Sequence, residues 1–350
     1  MPKSCRSVLD DINLSSGSNA SLLMSHYLKE TKGENNRSES AIDARKELFD
    51  AMIKACGRSS VIYKSAFERR QKALDDALAM KYETQGLMII GLGSSNVLET
   101  GLTLNHLYGV PMIPASTLKG ITAHFCSEFL EGGEYRGYKF DDNGKIIQRA
   151  GEIYEALFGR IEDVNAEPKI ENEMGILRFY DAWIFPDDVS SSLVHDVMTP
   201  HHMKYYDGTQ DLPTDFDSPN PVTFLAIQGK FEVRIGCEHK DLSSEKKSDW
   251  MKFAHDILRE ALRNSGVGGK LSSGYGRMKL ISEKKSASMN PDEVICVSLN
   301  KKGNPQFKYK GKKASFNPPI TKEAGLKVND VISKFEILSE DEQGFVLKAL

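Results

Sequence analysis

The chain is poor in cysteine, and what it has is scattered. Five cysteines lie at positions 5, 56, 126, 237 and 296 of 350 residues, with no CxxC pair. That pattern argues against a zinc ribbon or a disulfide framework. Cys126 and Cys237 fall within apolar patterns and are expected to be buried thiols. No stretch approaches the roughly 18 apolar residues that a membrane-spanning helix needs. The first residues, MPKSCRSVLDDINLSSGS, lack the apolar core of a signal peptide, so a cytoplasmic protein with no membrane partner is expected. An excess of charge is also missing. Lys and Arg number 46 against 49 Asp and Glu, a net charge of −3. The protein is therefore not a basic nucleic-acid coat, and any nucleic-acid surface must be a local patch. No tandem repeat is present.

The common glycine signatures are absent as well. The most distinctive stretch is GVGGKLSSGYGRMKL, residues 266–280. A Walker A loop would continue Lys270 with Ser or Thr, but Leu271 follows, and its first glycine would fall at Asn264. A dinucleotide fingerprint starting at Gly266 would need glycine at position 271. The order of elements is reversed too, because nucleotide loops run from a strand into a helix N-terminus. This loop leaves a helix and enters a strand. What it does hold is Gly266, Gly268, Gly269, Gly274 and Gly276 for sharp turns and close approach, Lys270 and Arg277 for charge, and Tyr275 for a stacking face. Two readings stand side by side: a cradle for a phosphate backbone carrying bases, or a glycine-rich helix stop with a turn.

Two basic patches stand out. Residues 263–285 carry Arg263, Lys270, Arg277, Lys279, Lys284 and Lys285 against Glu283. Residues 301–313 carry Lys301, Lys302, Lys308, Lys310, Lys312 and Lys313 against no acid. A charge run of the second kind reads first as a solvated face.

Periodicity organises the rest. Helices are expected at 19–30, 41–56 and 65–82, joined by the flexible GENNRSES (33–40). A strand at 85–91 and a Gly-rich turn follow. Ser116 is read as the N-cap of a helix reaching about residue 130, in which Gly120 signals a close approach to the helix backbone. Residues 131–175 read as a polar insertion and 177–185 as a strand. Residues 186–221 read as a long loop with five prolines and the acids Asp207, Asp211, Asp215 and Asp217. The run 222–236 reads as one long strand in which Phe231, Val233 and Ile235 alternate with Glu232 and Arg234. Trp250, Phe253, Ala254, Ile257, Leu258, Ala261 and Leu262 mark the clearest helix, 248–264. A strand at 275–282 closes a strand, helix, strands, helix, strand order, the pattern of a ferredoxin-like (RRM-like) α+β fold whose helices cover one sheet face and leave the other for a ligand. The expected division is a helical extension at 1–83, the core at 84–285, and a small β-rich module at 290–350 of OB or SH3-like type.

Three segments together resemble a known family: VLETGLTLNHLYGVPMIPASTLKG (97–120), FYDAWIFP (179–186) with DVMTPHHMKYY and DSPNPVTFLAI, and GGKLSSGYGRMKL (268–280). The set resembles the RAMP superfamily of CRISPR effector subunits, and within it the Cmr branch of type III-B complexes, over about residues 85–282. The resemblance implies a ferredoxin-like core with a glycine-rich loop. It also implies a non-catalytic structural subunit that holds the 3′ part of a guide (CRISPR) RNA, meets target RNA and packs on other RAMP subunits, as part of antiviral defence.

The residues expected to carry RNA binding follow from these segments. Ser116, Thr117, Lys119 and Gly120 occupy a helix start, where free N–H groups and the dipole favour anions. Gly268, Gly269, Lys270, Ser272, Ser273, Gly274, Tyr275 and Arg277 form the glycine loop, with Tyr275 read either as a base stack or as strand packing. His201 and His202 precede Tyr205 and Tyr206 in a loop read as an RNA or subunit contact. The same histidines admit an endoribonuclease reading, in which one removes a 2′-hydroxyl proton. A protein-only scaffold is the third reading. No catalytic residue, metal or cofactor is expected. Asp181, inside an apolar strand, is expected to accept backbone or Arg hydrogen bonds. The acids of 207–217 would repel RNA and are expected to face protein or solvent.

Overall fold

A computed structural model describes residues 9, 11–14, 19–29, 39–93, 98, 100–163, 166, 169–199, 202–209, 211–215, 221–281, 294–300, 304–309, 312–317, 319–321, 331–332, 335–340 and 344–349. The chain divides into two compact units, residues 1–281 and 282–350. No described helix is long and apolar enough to cross a membrane.

The first unit opens with two helices, α1 (Ala20–His26) and the 35-residue α2 (Glu39–Ala73). The chain then turns at once into β1 (Leu78–Thr84). The helix expected over 65–82 therefore ends at Ala73, and the first core strand begins earlier than the expected 85–91. Ala, Leu, Lys and Glu favour a helix here, but β1 lies between two partners and tertiary pairing overrides propensity. After β1 come β2 (Met112–Ile113), α3 (Ala115–Phe129), a small hairpin of β3 (Lys139–Phe140) and β4 (Ile146–Gln148), and α4 (Glu152–Phe158). The span 177–185 holds two strands, β5 (Leu177–Phe179) and β6 (Ala182–Ile184), both paired to one neighbour.

The expected loop 186–221 is partly ordered: β7 (Leu193–Met198) and the short α5 (Met203–Tyr206) lie within it. The expected long strand 222–236 is also two, β8 (Val222–Ile227) and β9 (Lys230–Cys237). The break falls at Gly229, whose φ of +134° only glycine adopts freely. β8 pairs with β7, whereas β9 enters the main sheet. Finally α6 (Ser244–Glu260), capped by the Ser243 side chain, leads to β10 (Met278–Leu280).

The main sheet runs β10-β1-β9-β6-β2, with β5 also on β9. Every pairing in it is antiparallel. Register sorts its faces. Leu78, Met80 and Tyr82 stand opposite Ile235, Val233 and Phe231. This apolar face meets α6, where the buried Tyr82 hydroxyl lies 2.6 Å from His255 Nε2. Leu118, Thr122 and Cys126 are the buried positions of α3 in the same core.

The other face was expected to be open, and it is not. Its residues Glu232 and Arg234 are buried, because α2 lies on them. Arg70 Nη1 donates to Glu232 Oε1 (3.2 Å), Gln71 Nε2 to Oε2 (2.6 Å), and Arg234 Nε to Oε1 (2.8 Å). The Tyr63 hydroxyl donates to the Ile184 carbonyl (2.8 Å), and its ring stacks on Trp183 at 5.4 Å. The alternation in β9 is thus apolar toward one helix layer and charged toward another, with no solvent side at these positions.

His255 gives the fold a pH dependence. Burial lowers its pKa, opposed by the nearby Asp256 carboxylate and aided by the Arg259 guanidinium. The unfolded chain takes up a proton near the usual value of about 6.5 and the folded one resists it, so stability falls as pH drops through that range. The denaturation midpoint should decline between about pH 7 and pH 5, and this decline should shrink in His255→Gln.

The second unit is a six-stranded sheet of β11 (Val294–Leu299), β12 (Pro305–Tyr309), β13 (Lys312–Phe316), β14 (Val331–Ile332), β15 (Phe335–Glu340) and β16 (Gly344–Ala349). The order is β14-β11-β12-β13-β16-β15, with β13 and β16 parallel. Phe307, Tyr309, Phe316 and Phe345 dominate its core. Among the described residues no pairing of β14 with β15 closes the sheet into a barrel.

Candidate nucleic-acid interface

The glycine loop begins where α6 widens. Residues Ala261–Ser265 form a π-type turn, closed by Gly266 N–H on the Ala261 carbonyl at 2.9 Å. The loop then folds against the chain that follows β1. Gly269 N–H donates to Ile89 O (2.8 Å) and Gly276 N–H to Leu87 O (2.9 Å), while Val267 N–H donates to Gly276 O (2.9 Å). These approaches require glycine. A Cβ on Gly268, at φ +98°, would lie 2.1 Å from Ile89 O. One on Gly276, at φ +74°, would lie 2.1 Å from Val267 O. The base of the loop is thus a helix stop packed on residues 87–89, and its tip faces outward.

The tip holds the candidate contacts. Ser272, Ser273, Gly274 and Arg277 are exposed, and Lys270 is half-buried with a left-handed φ of +58°. Nothing lies within 4 Å of a Cβ on Gly274. Among the described residues neither Lys270 nor Arg277 has a carboxylate at ion-pair distance, whereas nearby Lys279 is tied to Glu83 at 3.0 Å. Tyr275 is half-buried and committed: its hydroxyl donates to Asp196 Oδ2, and its ring lies 6.4 Å from that of Phe224. Burial first, and then that bond, push the phenol up to about 12, so it stays a donor.

At the other candidate segment, the helix cap differs from expectation. Pro114, not Ser116, is the N-cap of α3, and no cap side chain bonds the first turn. The capping group comes from across the fold: Asp181 Oδ1 accepts from Ala115 N–H at 2.7 Å, and the Asp181 carbonyl accepts from Arg70 Nη2 at 2.6 Å. Asp181 lies between β5 and β6 rather than inside a strand; its carboxylate accepts the backbone bond and its main-chain carbonyl the Arg bond. Ser116 and Gly120 are exposed and Thr117 and Lys119 half-buried.

The close neighbour expected at Gly120 is not found among the described residues, since nothing lies within 4 Å of a Cβ there. Gly120→Ala should therefore raise stability by about 1 kcal/mol. If nucleic acid packs on this turn, the same variant should bind it more weakly, and paired denaturation and binding curves read both effects. Helix α3 packs on the 261–265 turn at the base of the loop. No hydrogen bond or ion pair joins 116–120 to 268–277 among the described residues.

His201 lies outside the described residues. His202 is half-buried with φ +57°, and its carbonyl accepts from Tyr205 and Tyr206 N–H at 3.0 and 3.2 Å. Tyr205 and Tyr206 are exposed. No cluster of three His, Cys, Asp or Glu able to hold a metal occurs among the described residues. Asp207, Asp211 and Asp215 are exposed, and Asp217 lies outside the described residues. In the second basic patch, Lys308, Lys312 and Lys313 are exposed, with Lys312 Nζ 5.7 Å from the Phe345 ring centre; Lys301, Lys302 and Lys310 lie outside the described residues. Cys126 is buried as expected, and Cys237 only half so. Sequence reasoning missed Asp196, which sits in a segment read as loop. The alternating VHDVM around it was the available signal.

The chain has relatives among known proteins. Residues 81–279, more than half the chain, match the RAMP superfamily, and the chain belongs to that superfamily. Within it the chain is similar to the CRISPR system Cmr subunit Cmr6 of Pyrococcus furiosus, with 28% identity over 268 residues, covering 66% of this chain and 76% of that protein. Among solved structures, the cryo-EM structure of the Type III-B Cmr-beta bound to cognate target RNA matches with TM-score 0.47 and 19% identity, covering 79% of this chain and 88% of that one. The crystal structure of Cmr6 from Pyrococcus furiosus matches with TM-score 0.32 and 26% identity, covering 59% and 98%.

Proposed function

We propose that this chain is a non-catalytic, guide-RNA-binding structural subunit of a type III-B CRISPR effector, corresponding to the sixth Cmr subunit. In this reading it holds the 3′ part of the guide RNA, lies near target RNA, and packs on other RAMP subunits in the cytoplasm. Its core is a ferredoxin-like sheet: β1, the β5–β6 pair, β9 and β10 serve as strands one to four in the order 4-1-3-2, with α3 and α6 as the crossover helices.

The observation that carries the proposal is the loop tip. Lys270 and Arg277, without carboxylate partners among the described residues, stand beside exposed Ser272, Ser273 and Gly274 on a base bonded to residues 87 and 89. Cations, hydroxyls and open backbone suit phosphate and ribose, with little sequence preference. The covered second face of the sheet moves RNA away from the surface that an RRM uses and toward the loop and the start of α3.

The test is to purify the chain from its own cells, sequence the RNA it carries and map cross-links. Repeat-derived guide RNA with adducts near Lys119, Lys270 and Arg277, in company with RAMP partners, is the expected result. A chain that emerges alone and RNA-free would overturn the proposal. Loss of RNA cleavage in a His201→Ala/His202→Ala pair would show it to be a nuclease.

A further inference from the structure

Among the described residues, one side-chain hydrogen bond anchors the tip of the glycine loop from outside. Among the described residues, the backbone hydrogen bonds between residues 270 and 275 stay within that segment: Ser273 N–H to Lys270 O, Gly274 N–H to Leu271 O and Tyr275 N–H to Lys270 O. Among the described residues, Tyr275 is the one side chain of 268–277 whose hydrogen bond leaves the loop. Its two contacts, Asp196 and Phe224, stand directly opposite each other across β7 and β8. The hydroxyl meets the carboxylate, and the ring meets the buried Phe224 ring. The acceptor is itself held, since Asp196 Oδ1 accepts from Val197 N–H at 2.8 Å.

The hairpin is tied in turn to the strip on which the loop rests. Met88 and Ile227 exchange both backbone hydrogen bonds at 2.8 Å, and Leu87 and Ile89 on either side accept the bonds from the loop. Loop, strip and hairpin therefore form a closed ring of contacts, and the Tyr275–Asp196 bond completes it.

We infer that Asp196 is a positioning residue for RNA binding: through the Tyr275 hydroxyl it clamps the tip of the glycine loop to the β7–β8 hairpin and so pre-sets Lys270 and Arg277 for the phosphate backbone. This rests on the RNA-binding reading above. It assigns Tyr275 a different task from base stacking, since its hydroxyl points into the fold. A pre-set loop spares the ordering cost that binding would otherwise carry. Removing the clamp should weaken binding without changing the number of phosphates neutralised.

The experiment measures the Kd of the full chain for a single-stranded oligouridine across a salt series, in Tyr275→Phe, Asp196→Ala, their double variant and a Lys270→Ala/Arg277→Ala pair. Amide exchange of residues 270–276 is followed in the same proteins without RNA. Tyr275→Phe and Asp196→Ala should each weaken binding about tenfold, as loss of a hydrogen bond to a charged acceptor implies. They should leave the slope of log K against log salt unchanged, quicken loop exchange alike, and not add in the double variant. Wild-type affinity and loop exchange in Tyr275→Phe would overturn the clamp, as would losses that add fully. The Lys270→Ala/Arg277→Ala pair judges the underlying reading separately: its slope should flatten by about 0.7 per lost phosphate contact. An unchanged slope there removes the phosphate assignment and with it any task for the clamp.

Discussion

Glu232→Ala should cost about 3–5 kcal/mol of stability, the largest effect expected of any single side chain here. Glu232 is buried between two guanidiniums and accepts from Arg70, Arg234 and Gln71. Removing it leaves two desolvated cations facing each other under α2. The loss should be specific to breaking the network. Replacing Arg70, Glu232 and Arg234 together by apolar residues of similar volume should cost far less, because the carboxylate's attraction for the guanidiniums is offset by the desolvation of all three charges. Denaturant midpoints of the single and triple variants decide the point. The effect should reach the candidate interface, since Arg70 also bonds the Asp181 carbonyl and Asp181 caps α3. Glu232→Ala should therefore weaken RNA binding as well as the fold, even at a denaturant-free temperature well below the unfolding midpoint.

Gly268→Ala should be one of the two most damaging changes in the loop, with Gly276→Ala, whose Cβ would also lie 2.1 Å from a backbone carbonyl. The left-handed backbone costs a residue with a Cβ about 1–2 kcal/mol. The clash with Ile89 O at 2.1 Å adds about 1–3 kcal/mol of overpacking. The acceptor is a backbone carbonyl that also receives Gly269 N–H, so the loop rather than the strip must move. Gly274→Ala makes the control: its φ of +87° carries the conformational cost alone, because the space around it is open. Thermal unfolding should therefore rank Gly268→Ala well below Gly274→Ala. A reversed ranking would mean that the loop base is not packed as described.

Much of this was legible in the chain. The stripe from Trp250 to Leu262 and the glycines after it specified α6 and its stop, because a helix buried on one side must repeat at 3.6 residues. The three family-like segments pointed to the superfamily. Other features were hidden for definite reasons. β1 carries Leu78, Met80 and Tyr82 at period two, but in helix-favouring company, and only its two neighbours decide the matter. The alternation of Glu232 and Arg234 looks like a solvent face, because a sequence pattern records polarity and not what covers it. Gly229 hides a change of sheet inside a stretch that reads as one strand. At the candidate interface, the glycines and cations could be read directly, whereas the Asp181 cap and the Tyr275–Asp196 bond join positions 66 and 79 residues apart. Separations of that size leave no local pattern.

The central claim is that the loop tip and the start of α3 bind a phosphate backbone, and the salt dependence of RNA binding tests it most directly. The wild-type chain should lose affinity for single-stranded RNA steeply as salt rises. A Lys119→Ala/Lys270→Ala/Arg277→Ala variant should show a slope shallower by about 0.7 per lost contact, about 2 in all. A variant slope equal to that of the wild-type chain would contradict the account.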